Sequence, residues 1–434
     1  MSENQNSTTN STANPWIKEA IGGFTTFLTV MYIVFVNPMI LSTEGTGLSF
    51  SGVMTATIIL CFSMTLLMGL YAKVPFAVAP GMGINAFFTY NLILGKGVAW
   101  PLALGAVFWA GVLFLVLSLS SAREKIAESI PPHLRMGASA GIGLFLTFIG
   151  LKNAGMVVSD PVTFVKAGSF SPPVALTLIG LFIATIGIRR NNPFAFIFSI
   201  FVTTAIGALF GLVKMPEQVF SSPDFSSTFF KLDVVNSFSL ALAPAIFALC
   251  FTDLFDSITT LVGVSHAGKI LDSKGQPRNL RKGLIVDAWA TLLAGVFGTS
   301  SGTAYIESSA GISAGAKTGK ASVVTAFCFL PLLFLAPLAS VIPSFATAPI
   351  LILVGASMFR SLENAFTGAW EDVVPGFLTL VLIPLTFSIT QGILWGFIAH
   401  VILYLFVGRA SQLRPTLWIV SLISAALLYI ENKH

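Results

Sequence analysis

Charged side chains are scarce in this chain of 434 residues. Asp, Glu, Lys and Arg together make up 9% of it, against about 25% in an ordinary soluble domain. A water-exposed surface of this length cannot be built from so few charges. Disorder is excluded as well, because apolar residues reach 55%. The composition therefore predicts a polytopic membrane protein, in which lipid surrounds the apolar surface.

Cysteine pairs, metal-ligand spacings and catalytic motifs are also lacking. The three cysteines lie singly in apolar runs, so no disulfide framework is expected. The absence of a phosphate loop argues against an ATP-driven pump, and the absence of a nucleophile–base pair argues against a membrane-embedded enzyme. The net charge of +5 is scattered over short loops, so nucleic acid is not an expected partner. We predict a protein that is not an enzyme and has no cofactor and no metal.

Apolar runs of bilayer-crossing length recur along the chain. A membrane helix needs roughly 20 apolar residues, and fourteen candidates follow a polar tail, residues 1–15, that is expected to be disordered. A further apolar stretch, 415–430, is either an additional span or an interfacial helix. The fourteen candidates lie near 20–41, 53–71, 75–93, 98–119, 134–151, 174–188, 193–213, 239–263, 283–298, 299–315, 320–341, 345–360, 374–389 and 391–408.

The loops between these spans carry an asymmetric distribution of basic residues. If the N-terminus is cytoplasmic and the spans alternate, 17 Lys and Arg residues fall inside and 5 outside, with Lys433 depending on the last segment. Cytoplasmic loops carry the excess of Lys and Arg in membrane proteins. The distribution therefore predicts a cytoplasmic N-terminus and supports the span count, since one missing span would scramble the alternation.

The third and tenth spans are poor continuous helices. The third contains Pro75, Pro80, Gly81 and Gly83, and the tenth is rich in Ser, Thr and Gly. Irregular backbone at membrane depth is tolerated only where it is buried in protein or lines a cavity. The two spans are seven apart and run in opposite directions, which is typical of an inverted-repeat transporter with its substrate site at the broken helices. Two re-entrant helices without function are the alternative.

Four acidic residues lie inside apolar spans, namely Asp253, Asp256, Asp287 and Glu307. A charge at membrane depth is a functional hypothesis by default. The i, i+3 spacing of Asp253 and Asp256 places both carboxylates on one helix face. Two close carboxylates in low dielectric repel each other, so at least one is expected to bind a proton near neutral pH, as proton coupling requires. The alternative is a structural acid, and we interpret Asp287 as structural or gating.

Glu307 is the strongest single candidate for substrate binding. It follows Tyr305 and Ile306 in the broken tenth span, so it should project into the central cavity. A carboxylate can accept two parallel N–H bonds from a planar heterocycle. A helix cap is the alternative role. We predict that Tyr305, Ile306 and Glu307 bind substrate, and that Glu307, Asp253 and Asp256 take part in proton coupling.

Asn85 occupies the corresponding place in the third span. Its amide offers a donor and an acceptor, which suits a neutral polar ligand. Phe87 and Phe88 follow it and could supply a stacking face, although aromatics are so abundant here that core packing is the alternative. We predict that Asn85 and Asp253 bind substrate together with the tenth-span residues.

Several segments together resemble the AzgA-like purine permeases, a branch of the nucleobase/ascorbate transporter superfamily. The resemblance runs from about Trp16 to beyond Arg409. The matching segments are GGFTTFLT from Gly22, VNP from Val36, APGMGINAFF from Ala79, DLFDS from Asp253 and GTSSGTAYIESS from Gly298.

The resemblance implies an all-α membrane fold of fourteen spans in two inverted seven-span repeats. It implies short strands in spans 3 and 10, a core domain (spans 1–4 and 8–11) and a gate domain (spans 5–7 and 12–14). The implied activity is proton symport of purine nucleobases such as adenine, guanine and hypoxanthine, by a homodimer in the bacterial inner membrane. The family's functional positions fall on Asn85, Asp253, Asp256 and Glu307, with Tyr305 beside them.

The expected organisation is a tail (1–15), a first repeat (16–213), an extracytoplasmic linker (214–238), a second repeat (239–408) and a C-terminal segment (409–434). The alternative function is an anion or other small-solute transporter or channel of the same fold. Such a protein would be expected to place a cation, or uncharged half-helix ends alone, at its site. Four intramembrane acids and no visible intramembrane Lys or Arg argue against that alternative.

Overall fold

The computed structural model describes residues 15–120, 131–213, 216, 218–362 and 368–433. All but one residue of the predicted disordered tail, and parts of the predicted linker, lie outside these described residues. Seven of the described helical stretches are long and apolar enough to cross a membrane. The remaining predicted spans correspond to other described helices and to two segments that combine a strand with a half-helix.

Helices of the first half are α1 (Pro15–Val30), α2 (Ile33–Leu41), α3 (Phe50–Leu67), α4 (Met82–Ala86), α5 (Trp100–Leu119), α6 (Pro132–Asn153), α7 (Pro172–Arg189) and α8 (Ala195–Leu209). Those of the second half are α9 (Val234–Ser237), α10 (Ala243–Ala267), α11 (Leu280–Phe297), α12 (Ser308–Ser313), α13 (Gly319–Phe329), α14 (Ala336–Ser340), α15 (Ser344–Phe359), α16 (Trp370–Thr386), α17 (Ile389–Phe406) and α18 (Pro415–Lys433).

Two π-helical segments, Met68–Ala72 and Phe87–Gly95, continue α3 and α4, and short 3-10 segments lie at Leu330–Phe334, Arg360–Leu362 and Ala410–Gln412. The described structure also has four short strands: β1 (Val78–Pro80), β2 (Val157–Asp160), β3 (Phe164–Ala167) and β4 (Gly302–Ala304). Strands β2 and β3 form a hairpin between α6 and α7. Strands β1 and β4 come from the two broken spans and pair with each other. The predicted strands in spans 3 and 10 are therefore confirmed.

The helices form two packing groups. In the core group, α1 packs on α12 and α13, α3 packs on α2, α11 and α13, and α5 packs on α11. In the gate group, α6 packs on α15 and α16, α7 packs on α8 and α15, and α16 packs on α17. Contacts between the groups are fewer and involve mainly α4 against α6 and α10 against α17. This is the division into core and gate that the resemblance implies.

Close approach within the core group depends on glycine. Gly311 of α12 lies so near α1 that an added Cβ would stand 1.9 Å from Thr26 Oγ1. Gly298 ends α11 at φ +95°, where an added Cβ would also meet Thr228 at 2.3 Å. Only glycine fits such a position without strain, and small residues are what let membrane helices approach closely.

The C-terminal apolar stretch is one further long helix, α18, which packs on α17 and α10. Its end carries Glu431, whose carboxylate pairs with the Lys96 ammonium. Lys96 follows the third span, so the end of α18 lies beside the end of that span.

Candidate functional site

The two broken spans meet as a pair of antiparallel strands deep in the core group. Val78 lies opposite Ala304, and Pro80 lies opposite Gly302. The pairing is extended at both ends, where Gly81 N donates to Ser301 O (2.9 Å) and Tyr305 N donates to Ala77 O (2.9 Å). Every strand residue is buried. The backbone polar groups of both breaks are therefore satisfied by protein, as membrane depth requires.

Proline and side-chain hydroxyls account for this local structure. Pro75 and Pro80 have no backbone N–H and disfavour a helical conformation at the residue before them. Thr65 of α3 then bonds the freed backbone of Val78 on both sides, donating to its carbonyl (3.1 Å) and accepting from its amide (2.9 Å). Asp287 of α11 accepts from the amide of Ala304 (3.2 Å). Asp287 is thus placed as a fully buried support of β4.

A cavity of about 440 Å³ lies beside β4, between the core and gate groups. The charged residues that line it are Asp256 and Glu307. Pockets of this size hold one small ring system with a few polar contacts. The core-group lining consists of Tyr32, Gly81, Met82, Gly83, Asp256, Thr259, Thr260, Gly263, Val264, Ala267, Thr303, Ala304, Tyr305, Ile306, Glu307 and Ser309, and the gate-group lining of Ser139, Val354, Ser357 and Met358.

Glu307 faces this cavity from the start of α12. Tyr32, itself buried, donates its hydroxyl to Glu307 Oε1 at 2.8 Å. The backbone of Glu307 is also held, since Thr29 donates to its carbonyl at 3.3 Å. Apart from Tyr32, the carboxylate has a hydrogen bond only from the backbone amide of Glu307 itself among the described residues. The side chain is therefore oriented by the core group while the carboxylate keeps acceptor sites for a ligand.

Asp253 and Asp256 lie one turn apart on α10 but have different surroundings. Asp256 lines the cavity, and no described residue hydrogen-bonds its carboxylate. Asp253 is completely buried and accepts bonds from Ser301 Oγ (2.6 Å) and from the Thr291 hydroxyl. The structure thus brings Asp256 and Glu307 together at the cavity and sets Asp253 behind β4.

Tyr305 and Ile306 both line the cavity. The Tyr305 hydroxyl donates to the Pro80 carbonyl, which ties the two broken spans together beyond the strand pair. Ile306 remains 60% exposed, so its apolar surface faces open space beside Glu307. These two residues lie where the sequence predicts them.

Asn85, Phe87 and Phe88 are buried and do not line the cavity. The Asn85 amide oxygen accepts a bond from Ser300, the residue before Ser301, which in turn donates to Asp253. Asn85 and Asp253 are thus joined through consecutive serines that precede β4. In this arrangement both residues shape the strand pair and neither contacts the cavity, and the two phenylalanines pack in the core.

Arg135 was not among the predicted site residues, although it falls at the start of the predicted span 134–151. The structure includes it in the first turn of α6, where it lines a smaller cavity of about 70 Å³ with Asp256, Gly81 and Ser139. Its Nε atom is buried and has no partner among the described residues. The signal was present in the sequence, because Pro131-Pro132 favours a helix start at that point and so carries Arg135 into the span.

Hydroxyl groups of Ser139, Thr259, Thr260 and Ser357 also line the cavity and were missed. Nothing in their local sequence distinguishes them from the many other Ser and Thr residues. The lining contains carboxylate and hydroxyl oxygens and no His or Cys, which suits an uncharged ligand with N–H donors. The site offers two carboxylates, hydroxyl groups and apolar faces to one small planar molecule.

Comparisons with known proteins identify the family of this chain and several similar permeases. The model of the Permease family matches residues 17–395. The adenine permease AdeP of Escherichia coli K12 is 41% identical over 420 residues, which cover 96% of this chain and 93% of AdeP. The guanine/hypoxanthine permease PbuG of Bacillus subtilis 168 is 40% identical over 412 residues, which cover 92% of this chain and 93% of PbuG.

Solved structures show a similar fold at low sequence identity. The transmembrane domain of a cyanobacterium bicarbonate transporter, BicA, superposes with a TM-score of 0.66 at 16% identity, over 88% of this chain and 97% of that domain. SLC26A9 gives a TM-score of 0.64 at 11% identity, over 90% of this chain and 65% of its own. This fold has fourteen spans in inverted repeats, which confirms the predicted fold class.

Proposed function

Because this chain belongs to the Permease family, we propose that it imports purine nucleobases, such as adenine, guanine and hypoxanthine, by proton symport. The chain is a multi-pass membrane transporter and not an enzyme. The resemblance to the AzgA-like purine permeases is confirmed by the family match and by relatives that are adenine and guanine/hypoxanthine permeases. The purine substrate is carried over from those relatives.

The observation that carries the proposal is the pair of carboxylates at one cavity. Glu307, oriented by Tyr32, presents a carboxylate oxygen to the same space as Asp256. A purine edge offers adjacent N–H donors that such an oxygen accepts. Ile306 and Met82 line the same space and give apolar surface to the ring faces. In this scheme Glu307 binds the base, while Asn85 and Asp253 maintain the strand pair that positions it.

Asp256 is the group that we assign to proton coupling. Its carboxylate faces the cavity without a hydrogen bond from a described residue, so it can take a proton from water in the cavity. Asp253 is the alternative carrier, but it is enclosed and already bonded by two hydroxyl groups. Movement of the core group against the gate group would then expose the loaded site to either side.

The fold also supports a proposal for topology. The cavity extends along α10 to Ala267 and along α15 to Ser357, close to the loops that carry Lys269 and Arg360. The basic end of the fold is the cytoplasmic end by the loop-charge rule. We therefore propose a bacterial inner-membrane protein with a cytoplasmic N-terminus, captured here with its site open to the cytoplasm. We also propose that α18 is an additional crossing, since its end lies beside Lys96, which follows the third span. Fluorescent-protein fusions after Arg409 and after Lys433 should then report opposite sides, and the same side for both would contradict this.

The repeats are proposed at 16–213 and 239–408, with 214–238 as the extracytoplasmic linker between them. We also propose a homodimer, on the family resemblance alone. Native mass spectrometry of the detergent-solubilised protein would test the oligomeric state, and a purely monomeric spectrum would contradict it.

The central experiment is uptake of radiolabelled adenine, guanine, hypoxanthine, xanthine and uracil by cells that express the chain and lack their own purine transporters. Uptake of at least one purine should rise as the external pH falls and should collapse with a protonophore. Purine uptake that persists unchanged without a proton gradient would overturn the symport assignment, and uptake of none of the purines would overturn the substrate assignment.

The alternative function, an anion transporter of the same fold, is disfavoured by the charge of the cavity. Both charged residues in its lining are acidic, and they would repel an anion. Arg135 belongs to the adjacent smaller cavity instead. Bicarbonate or chloride counterflow in proteoliposomes, with no purine counterflow, would reverse this ranking.

A further inference from the structure

Two of the four histidines of the chain meet outside the central cavity. His133 begins α6 and His400 lies on α17, with ring centroids 5.9 Å apart. Asp372, in the first turn of α16, completes the cluster, with its Oδ1 3.4 Å from His133 Nε2. None of the three residues lines the central cavity or the smaller cavity beside Arg135.

We propose that His133, Asp372 and His400 form a binding site for a transition-metal ion, with Zn²⁺ as the best-fitting ion. One nitrogen of each histidine and one carboxylate oxygen of Asp372 all lie within 4.8 Å of one another. Two imidazoles with one carboxylate and an open position are a known zinc ligand set. Hard cations such as Mg²⁺ and Ca²⁺ instead take sets of oxygen ligands.

The imidazole nitrogens are the observation that points to a ligand. His133 Nε2 and His400 Nδ1 are both buried atoms with no hydrogen-bond partner among the described residues. The His400 residue is only 2% exposed. A buried polar atom without a partner is destabilising unless something else satisfies it. A metal ion placed between the two rings would satisfy both nitrogens at once.

The three ligand atoms lie slightly farther apart than the ligands of one zinc ion would. Tetrahedral ligands at zinc stand roughly 3.3 Å apart, given Zn–N and Zn–O bonds of about 2.0–2.1 Å. The three ligand atoms would therefore move together by about 1 Å, which side-chain rotation at His133 and Asp372 can supply. Both of these side chains are partly exposed, so an ion and a water ligand can enter.

The surrounding charges favour a cation. Arg409 approaches Asp372, with Nη1 4.0 Å from Oδ2, but it pairs more closely with Glu371, whose Oε1 lies 2.6 Å from the same nitrogen. Two carboxylates and one guanidinium leave one negative charge for the ion. Tyr404 donates to Asp372 Oδ1 at 2.5 Å and stacks near His400, so it would orient the carboxylate as an outer-shell partner.

The three ligands come from three helices of the gate group at their shared basic end. A bound ion would link α6, α16 and α17 without reaching the core group. The gate group would be stabilised as one unit while the substrate cavity stays unobstructed. This inference does not depend on the identity of the transported solute, and its test uses no transport assay.

The test is metal binding by the full-length protein, purified in detergent through a histidine-free tag, stripped with EDTA and titrated with Zn²⁺. We expect about one Zn²⁺ per chain by elemental analysis after gel filtration, and a rise in melting temperature. His133→Gln and His400→Gln should each weaken binding at least 100-fold and remove the thermal shift. His266→Gln, which changes an exposed histidine outside the cluster, is the matched control and should bind as the wild type does.

Wild-type protein loaded with Co²⁺ gives a second reading that needs no substitution. The proposal predicts the strong visible absorption of a four-coordinate site. Absence of saturable Zn²⁺ binding, undiminished binding by the His133→Gln/His400→Gln double variant, or a weak six-coordinate Co²⁺ spectrum would each overturn it.

Discussion

The third-span arm, β1 with α4, and the tenth-span arm, β4 with α12, are built on the same plan. Each turns from a three-residue strand into a half-helix, and the two strands pair antiparallel. Their chemistry differs, because the polar residue of the first arm, Asn85, is sealed against Ser300 whereas that of the second, Glu307, faces the cavity. Inverted symmetry of the backbone therefore does not imply symmetry of the site.

Packing against the gate group explains the difference. On the first arm, Gly83 lies so close to α6 that an added Cβ would stand 2.2 Å from Ile142 Cγ2. The first arm is thus covered by a gate helix along α4. On the second arm, Tyr305, Ile306 and Glu307 border open space, with Ile306 well exposed. The first arm forms the contact between the groups and adds only uncharged surface to the cavity, from Gly81, Met82 and Gly83, whereas the second arm supplies the carboxylate of Glu307.

The largest expected effect separates the two arms directly. Glu307→Gln should lower purine uptake at least ~100-fold, because it replaces a charged acceptor at the ligand surface. Asn85→Ala should lower uptake only about threefold, since its amide does not reach the cavity. Initial rates of radiolabelled uptake, normalised to membrane protein, measure both. Glu44→Gln, in an exposed loop, is the control, and equal losses in the Glu307 and Asn85 variants would break the comparison.

The acids of α10 extend the comparison to a single helix. Asp256→Asn should abolish the pH dependence of uptake and lower its rate about 30-fold, whereas Asp253→Asn should lower the melting temperature. The reason is that Asp256 borders the cavity while Asp253 accepts bonds from Ser301 and Thr291. Uptake at pH 5.5 and 7.5 and fluorescence melting curves distinguish the two. A normal melting temperature for Asp253→Asn with complete loss of uptake would reassign the proton to Asp253.

Glycine substitutions probe the covered arm. Gly83→Ala should lower the maximal uptake rate about tenfold, because the added methyl meets the β-branched side chain of Ile142, whose rotation is restricted. Gly81→Ala should have a smaller effect, since its nearest neighbour, Thr303 Cγ2, would lie 3.3 Å away and would need to move by only a few tenths of an ångström. The effect should appear in the maximal rate and not in the half-saturating concentration. A change confined to the half-saturating concentration would instead place Gly83 at the ligand.

The smallest expected effect is at Asp224, a residue outside both arms, whose substitution serves as a reference for the changes in the arms. Asp224 joins the linker to the start of α3, where Ser51 donates a hydrogen bond to its carboxylate. Partial burial raises the pKa of Asp224, but hydrogen bonds from Ser227 and Ser51 outweigh this effect and lower the pKa to about 2. A depressed pKa stabilises the folded state above the ordinary value of 3.8 and loses that effect as pH falls toward 2.

Asp224→Asn should therefore lower stability by about 1 kcal/mol at pH 7, allowing for solvent screening. The difference from wild type in melting temperature should shrink below pH 4, and uptake at pH 7 should be unchanged. A loss of uptake comparable with that of Gly83→Ala would show that the linker takes part in transport.

Local sequence signals predicted much of the fold. Charge scarcity, the 17-to-5 division of basic residues and the Pro- and Gly-rich breaks predict a membrane protein with two special spans. The fourteen-span fold is confirmed, as are the short strands in those two spans, which the family resemblance implied. The pairing of the two strands with each other was not predicted. Tyr305, Ile306, Glu307 and Asp256 line one cavity, as expected for residues next to a backbone break or one helical turn apart, and their role in binding stays a prediction.

The remaining features depended on residues that are distant along the chain. Which of two acids on one helix faces the cavity was decided by Ser301 and Thr291, which enclose Asp253. Arg135 lines the smaller cavity beside the site because α6 begins before it. His133 and His400 show no metal-binding spacing, yet three gate helices bring them beside Asp372.

The sequence by itself determined that lipid surrounds this protein, that it is a polytopic membrane protein and where two of its helices break. Composition and periodicity are local properties, so they can be read from each segment without the fold. Only the tertiary structure decided which polar groups are enclosed and which remain open to a ligand. Burial depends on what packs against a side chain from elsewhere in the chain, and that information is not local to any segment.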